Sequence, residues 1–151
     1  MLLAGKVGGR IGILDDLGRR VGAVASAAGW ADGGPVVVAV PSHPWRSFAR
    51  GYDPAAEIAR AVAGHLGLSR ARRALRRRTR RWTAVKTLGA AAREAELLDA
   101  FVARAGAVRG RAVLLIDDVV TTGATARGCA RALRAAGAPA VRVAAWGRTP
   151  L

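Results

Sequence analysis

Cysteine is almost missing from this 151-residue chain: Cys129 is the only one. A disulfide within the chain is therefore impossible, and so is a zinc site built on cysteine. Flanked by small residues in a helical stretch, Cys129 reads as a small buried hydrophobe and not as a nucleophile. Aromatic residues make up 5% of a chain that is 52% hydrophobic, so its core must be assembled mainly from Ala, Val and Leu. No apolar run is long enough for a membrane span, and no signal-peptide pattern precedes a cleavage site, so a soluble cytoplasmic protein with no membrane partner is expected. Acidic residues are few: 10 Asp+Glu stand against 25 Lys+Arg, for a formal net charge of +15. That imbalance favours polyanionic partners, whether diphosphate-bearing small molecules or nucleic acid. A nucleotide-binding P-loop is not expected, because the early glycine-rich segment Gly5-Lys6-Val7-Gly8-Gly9-Arg10 hints at a nucleotide loop but lacks the required spacing.

What the chain does have is concentrated near residue 117. Val113-Leu114-Leu115-Ile116 reads as a buried strand, Asp117 and Asp118 follow at its C-terminal end, and Thr121-Thr122-Gly123-Ala124-Thr125 opens a helix. Ligands of open α/β sheets bind just beyond the carboxyl ends of the strands. A loop of hydroxyls and glycine at a helix N-terminus offers backbone N–H groups and the positive end of the macrodipole, which suit a phosphate. Adjacent carboxylates suit hydroxyls or a metal. A sugar phosphate meets both demands.

The remaining pattern alternates. Residues 11–28 predict a helix, with Ile11, Leu14, Leu17, Val21 and Val24 on one face. A turn at residues 31–35 precedes a strand at residues 36–40, and a loop from Pro41 leads to a helix over 53–66 with Ile58, Val62 and Leu66 inward. Residues 88–104 read as a helix, or a helix with a short strand near Phe101. A strand at 112–116, a helix over 123–136 stopped by Gly137, and a last strand at 141–145 complete the chain. The expected architecture is α/β, one domain over residues 1–151, with a doubly wound, mostly parallel sheet flanked by helices.

Residues 113–125 closely resemble the phosphoribosyl diphosphate (PRPP) binding motif of type I phosphoribosyltransferases. The resemblance implies that Asp117 and Asp118 hold the ribose hydroxyls and that Thr121, Thr122, Gly123, Ala124 and Thr125 wrap the 5′-phosphate. It also implies Mg²⁺ bound through PRPP and displacement of pyrophosphate from C1, with the two acids as the catalytic pair. Across nearly the whole chain the order of features is similar to the ComF-type branch, named for a competence protein of DNA uptake. Four segments carry this likeness: Lys6 to Arg10, Val38-Ala39-Val40-Pro41 with Arg50-Gly51-Tyr52, Thr83 to Arg93 with Phe101, and the PRPP motif. Asp53-Pro54, Lys86 and Glu96 stand where that branch has Asn-Gln, Gln and Asn, and its Cys-rich zinc module has no counterpart in these residues.

By position, the loop after Pro41 is expected on the pyrophosphate side, with Ser42, His43, Arg46, Arg50 and Gly51 as candidates. An exposed His43 without a role is an equal alternative, whereas Arg50 supplies a charged fork and Gly51 allows close backbone approach. Eight arginines lie between Arg70 and Arg81, beside Trp82. Three readings stand: a lid that closes over PRPP and brings Lys86 to the pyrophosphate, a single-stranded DNA surface with Trp82 stacking, or a solvated basic face. Two functions follow, a Mg²⁺-dependent transferase with an unidentified acceptor or a non-catalytic PRPP- or nucleotide-sensing protein. Family members often pair, which extends the expectation to a homodimer.

Overall fold

The computed structural model describes residues 4–42, 51–78 and 97–149. Its elements are α1 (Ala4–Ala27), β1 (Val36–Ala39), α2 (Pro54–Leu66), β2 (Leu75–Arg77), β3 (Phe101–Ala103), α3 (Ala105–Val108), β4 (Val113–Val120), α4 (Ala124–Ala135) and β5 (Val141–Arg148). β1, β4 and β5 form a parallel sheet in the order β1-β4-β5, and β2 and β3 form a separate antiparallel pair.

Strand β4 is central, and its apolar run follows from burial on both faces. Val36, Val38, Val113 and Leu115 pack with Cys129 and Leu133 of α4, Leu75 of β2 and Phe101 of β3. Val37, Leu114 and Ile116 pack on the other side with Val21 and Ala25 of α1 and with Ile58 and Val62 of α2. Helices thus cover both faces, as a doubly wound sheet requires. Residues 69–71 run along the outer edge of β1, where Val37 N–H donates to the Ser69 carbonyl (2.9 Å) and Ala71 N–H to the Val37 carbonyl (3.0 Å). No helix among the described residues is long and apolar enough to cross a membrane.

Local chemistry accounts for the boundaries of α2. Asp53 caps its N-terminus, accepting from Ala56 N–H at 3.3 Å, Pro54 occupies the first turn, and Gly67 ends it in the left-handed region. Other boundaries differ from the sequence expectation. Helix α1 begins at Ala4, not residue 11, because Gly5, Gly8 and Gly9 blur its pattern. Its buried face runs through Gly18, Val21, Gly22 and Ala25, and Val24 is 71% exposed. A Cβ on Gly18 would run into Ala61 and meet the Ile58 carbonyl oxygen at 2.8 Å, so glycine sets how closely α1 and α2 approach. β4 continues past Ile116 to Val120, and β5 past Ala145 to Arg148. Strand β2 lies inside the arginine block, and the short strand near Phe101 is β3.

Candidate functional site

The two long parallel strands explain how the acid pair is presented. On one side, pairing with β1 ends where Val40 N–H donates to the Ile116 carbonyl at 2.8 Å. On the other side the ladder to β5 goes on, with Asp117 opposite Ala145, Val119 opposite Gly147 and Val120 opposite Arg148. Asp117 and Asp118 therefore lie within a strand, not after it, but just beyond the end of β1. That step between strand ends opens a cavity of about 250 Å³.

Its described lining includes Ser42 and Pro54 from the β1 side, Asp117 and Asp118 from β4, and Thr121, Gly123 and Thr125 from the loop opening α4. Of the predicted loop, Thr122 is exposed and Ala124 is 4% exposed, and neither borders the cavity. Thr122 Oγ1 instead accepts from Ala124 N–H at 3.3 Å, and the Thr122 carbonyl accepts from the Arg127 guanidinium at 3.0 Å. Gly123, at φ +77°, takes the left-handed turn that lets the chain enter the helix. Gly51 is exposed and is not among the lining residues. His43, Arg46, Arg50 and Lys86 lie outside the described residues, as do Arg80, Arg81 and Trp82.

Asp117 is 7% exposed, the one buried charged residue of the described core. Its carboxyl is pushed up to about 7, first by burial and then by its neighbour Asp118. Asp118 N–H donates to Asp117 Oδ1 and Val119 N–H to Asp118 Oδ1, both at 2.9 Å, which fixes the two side chains against their own strand. Ser42 Oγ donates to Asp53 Oδ1 at 2.7 Å, tying the loop after β1 to the start of α2. Cys129, one turn into α4, is fully buried, and burial followed by the Asp117 charge pushes its thiol up to about 12. It is a packing residue, as expected.

Seven lining residues were not among the predicted site residues: Val40, Pro41, Pro54, Arg77, Val119, Val120 and Ala126. Arg77 carries a signal, because it follows Leu75 at the two-residue period of a strand. The arginine block is accordingly divided. Arg70 donates to the Ala56 carbonyl at 3.1 Å, Arg77 borders the cavity, and Arg72, Arg73, Arg76 and Arg78 are exposed. Among the described residues no group of three or more His, Cys, Asp or Glu side chains could hold a metal ion. Any cation here would rest on Asp117 and Asp118 with the rest of its shell supplied by ligand and water.

Two solved structures share this architecture. One is the allosteric regulatory enzyme of purine biosynthesis, with TM-score 0.60 and 25% identity over 88% of this chain and 25% of that one. The other is the glutamine phosphoribosylpyrophosphate amidotransferase from B. subtilis complexed with ADP and GMP, with TM-score 0.57 and 25% identity over 86% of this chain and 25% of that one. The chain thus spans about a quarter of the length of either structure. No family model and no curated protein sequence matches it. The fold is that of the type I phosphoribosyltransferases.

Proposed function

We propose that this chain binds PRPP and transfers its phosphoribosyl group to an acceptor still to be identified. One observation carries the reading: the acid pair and Thr121, Gly123 and Thr125 border a single cavity beyond the carboxyl end of β1, in a fold shared with a PRPP amidotransferase. Thr121, Thr125 and the backbone from Thr122 to Ala124 hold the 5′-phosphate at the N-terminus of α4. Asp117 and Asp118 take the ribose hydroxyls. Ser42 faces the diphosphate.

In the reaction the bond from C1 to the diphosphate oxygen breaks, its electron pair leaves with the diphosphate, and a new bond forms from the acceptor to C1. Positive charge develops on the ribose ring, and the neighbouring carboxylates offset it. Anchoring the phosphate at one end and the hydroxyls in the middle fixes C1 for attack. Two adjacent carboxylates without a third ligand fit Mg²⁺ that arrives with the diphosphate better than a resident ion. Such a cation, when bound, supplies neutralising charge at the departing diphosphate.

Calorimetric titration with PRPP and Mg²⁺, followed by pyrophosphate release with a panel of nucleobases and ammonia, tests the proposal. Ammonia belongs in the panel because the similar B. subtilis enzyme is an amidotransferase. Asp117→Asn and Asp118→Asn are each expected to weaken PRPP binding about 10–100-fold, the cost of losing a charged hydrogen-bond acceptor. Pyrophosphate release that depends on one acceptor identifies the transfer reaction. Saturable binding without release by any acceptor assigns the second reading, a PRPP-sensing protein of the competence type. Absence of PRPP binding overturns both.

A further inference from the structure

The eight arginines between Arg70 and Arg81 look alike in sequence, yet the fold sorts Arg76, Arg77 and Arg78 by strand period. In β2, Leu75 is buried and Arg77 half-buried, while the alternate residues Arg76 and Arg78 are exposed. Arg77 is registered opposite Phe101 of β3, and its guanidinium carbon lies 5.1 Å from the centre of that ring. Phe101 is itself 4% exposed, and the ladder is closed on either side by Arg78 N–H to the Ala100 carbonyl (2.7 Å) and Arg104 N–H to the Ala74 carbonyl (2.8 Å). The side chain is thus held by a strand and by a ring at once.

It is also the one cationic side chain among the described lining residues of the cavity, where it joins Asp117, Thr125 and Ala126. Its charge acts on Cys129, which is four residues after Thr125 and so lies on the same face of α4. Arg77 and the first-turn residues Thr125 and Ala126 thus line the same cavity, at the end of the Thr121–Thr125 loop. We infer that Arg77 is an anion-binding residue of this site and grips the 5′-phosphate of the sugar from the β2–β3 side, an inference that rests on the PRPP reading above. Stacking on Phe101 uses the face of the guanidinium and phosphate recognition uses its edge, so the two contacts are compatible. A cation there also offsets the repulsion between the two carboxylates and an incoming phosphate.

The test uses ribose 5-phosphate, which carries the 5′-phosphate alone, beside inorganic pyrophosphate and PRPP, each with Mg²⁺. Arg77→Met keeps an apolar stem on Phe101 and is expected to lower ribose 5-phosphate affinity about 10–100-fold, with pyrophosphate affinity unchanged. Arg77→Lys keeps the charge without the planar fork, and an intermediate loss is expected. Should Arg77→Met fail to fold by circular dichroism, Arg77→Lys decides alone. Unchanged ribose 5-phosphate affinity in the folded variants, or a loss confined to pyrophosphate, overturns the inference. A wild-type chain that binds neither PRPP nor ribose 5-phosphate overturns the parent reading. A wild-type chain that binds both, with the variants unaffected, overturns this inference alone.

Discussion

Asp117 is the residue at which stability and function pull apart. An ordinary aspartate ionises near 4, whereas burial and Asp118 hold Asp117 near 7 in the folded protein. Below pH 4 both states carry the proton and the residue contributes nothing to pH dependence. From pH 4 to 7 the unfolded chain ionises first, so folding loses stability as pH rises, and above 7 the full penalty persists. Asp117→Asn removes that penalty. The unliganded variant is expected to be more stable than wild type by about 2–4 kcal/mol at pH 8, with the gain shrinking to nothing at pH 4. Urea unfolding at pH 4, 6 and 8 checks this, and a stability difference that does not change with pH would refute the assignment. On the proposed function the same substitution is expected to weaken PRPP binding, so Asp117 would destabilise the empty protein while serving its ligand.

At the scale of elements, the critical contact is α4 against β3. A Cβ on Gly128 would run into the Leu97 carbonyl oxygen and meet Phe101 Cδ2 at 3.1 Å. Gly128→Ala gains about 1 kcal/mol of helix propensity but overpacks a backbone contact at about 1–3 kcal/mol, so a net loss of about 1–2 kcal/mol is expected. Displacing Phe101 also displaces the ring under Arg77, and ribose 5-phosphate affinity is expected to fall with it. Gly64→Ala is the control: exposed in α2 with nothing within 4 Å, it is expected to raise stability by about 0.5–1 kcal/mol. Thermal melts and titrations of the two variants separate these outcomes, and equal behaviour of the two would count against the contact.

The same elements show what a linear reading reaches. The strands at 36 and 113 and the helix after Asp53 were legible because burial, capping and turn chemistry are local. The strand β2 was not, because three residues among eight arginines become a strand only through a partner at Phe101–Ala103. The extension of β4 through Asp117 and Asp118 was hidden too, since Asp disfavours strands and only the ladder to β5 holds it there. For the site, the acids and the threonine loop stood out as a motif. Arg77 did not, since whether it reaches the cavity depends on which face of a strand it occupies. Thr122 and Ala124 were read as part of the phosphate loop, and neither is among the residues lining the cavity.

The charge of the whole molecule bears on how a ligand arrives. Of the acids, Asp15, Asp16 and Glu57 are engaged on the surfaces of α1 and α2 by Arg19, Arg20 and Arg60, and Asp99 pairs with Arg131 on α4. These exposed pairs add little stability, but they draw acidic groups away from the cavity. The excess of +15 is left as a long-range field. On the proposed function a polyanion such as PRPP would be steered by that field toward a site whose inner wall is acidic, with attraction acting during approach and the carboxylates only on contact. Screening should therefore slow association far more than it speeds release. Raising NaCl from 50 to 500 mM is expected to lower the association rate constant about tenfold while the dissociation rate changes less than about threefold, as read by stopped-flow tryptophan fluorescence. An association rate indifferent to salt would mean that the basic surface plays no part in capture. The arginines outside the cavity would then need a purpose unrelated to this ligand.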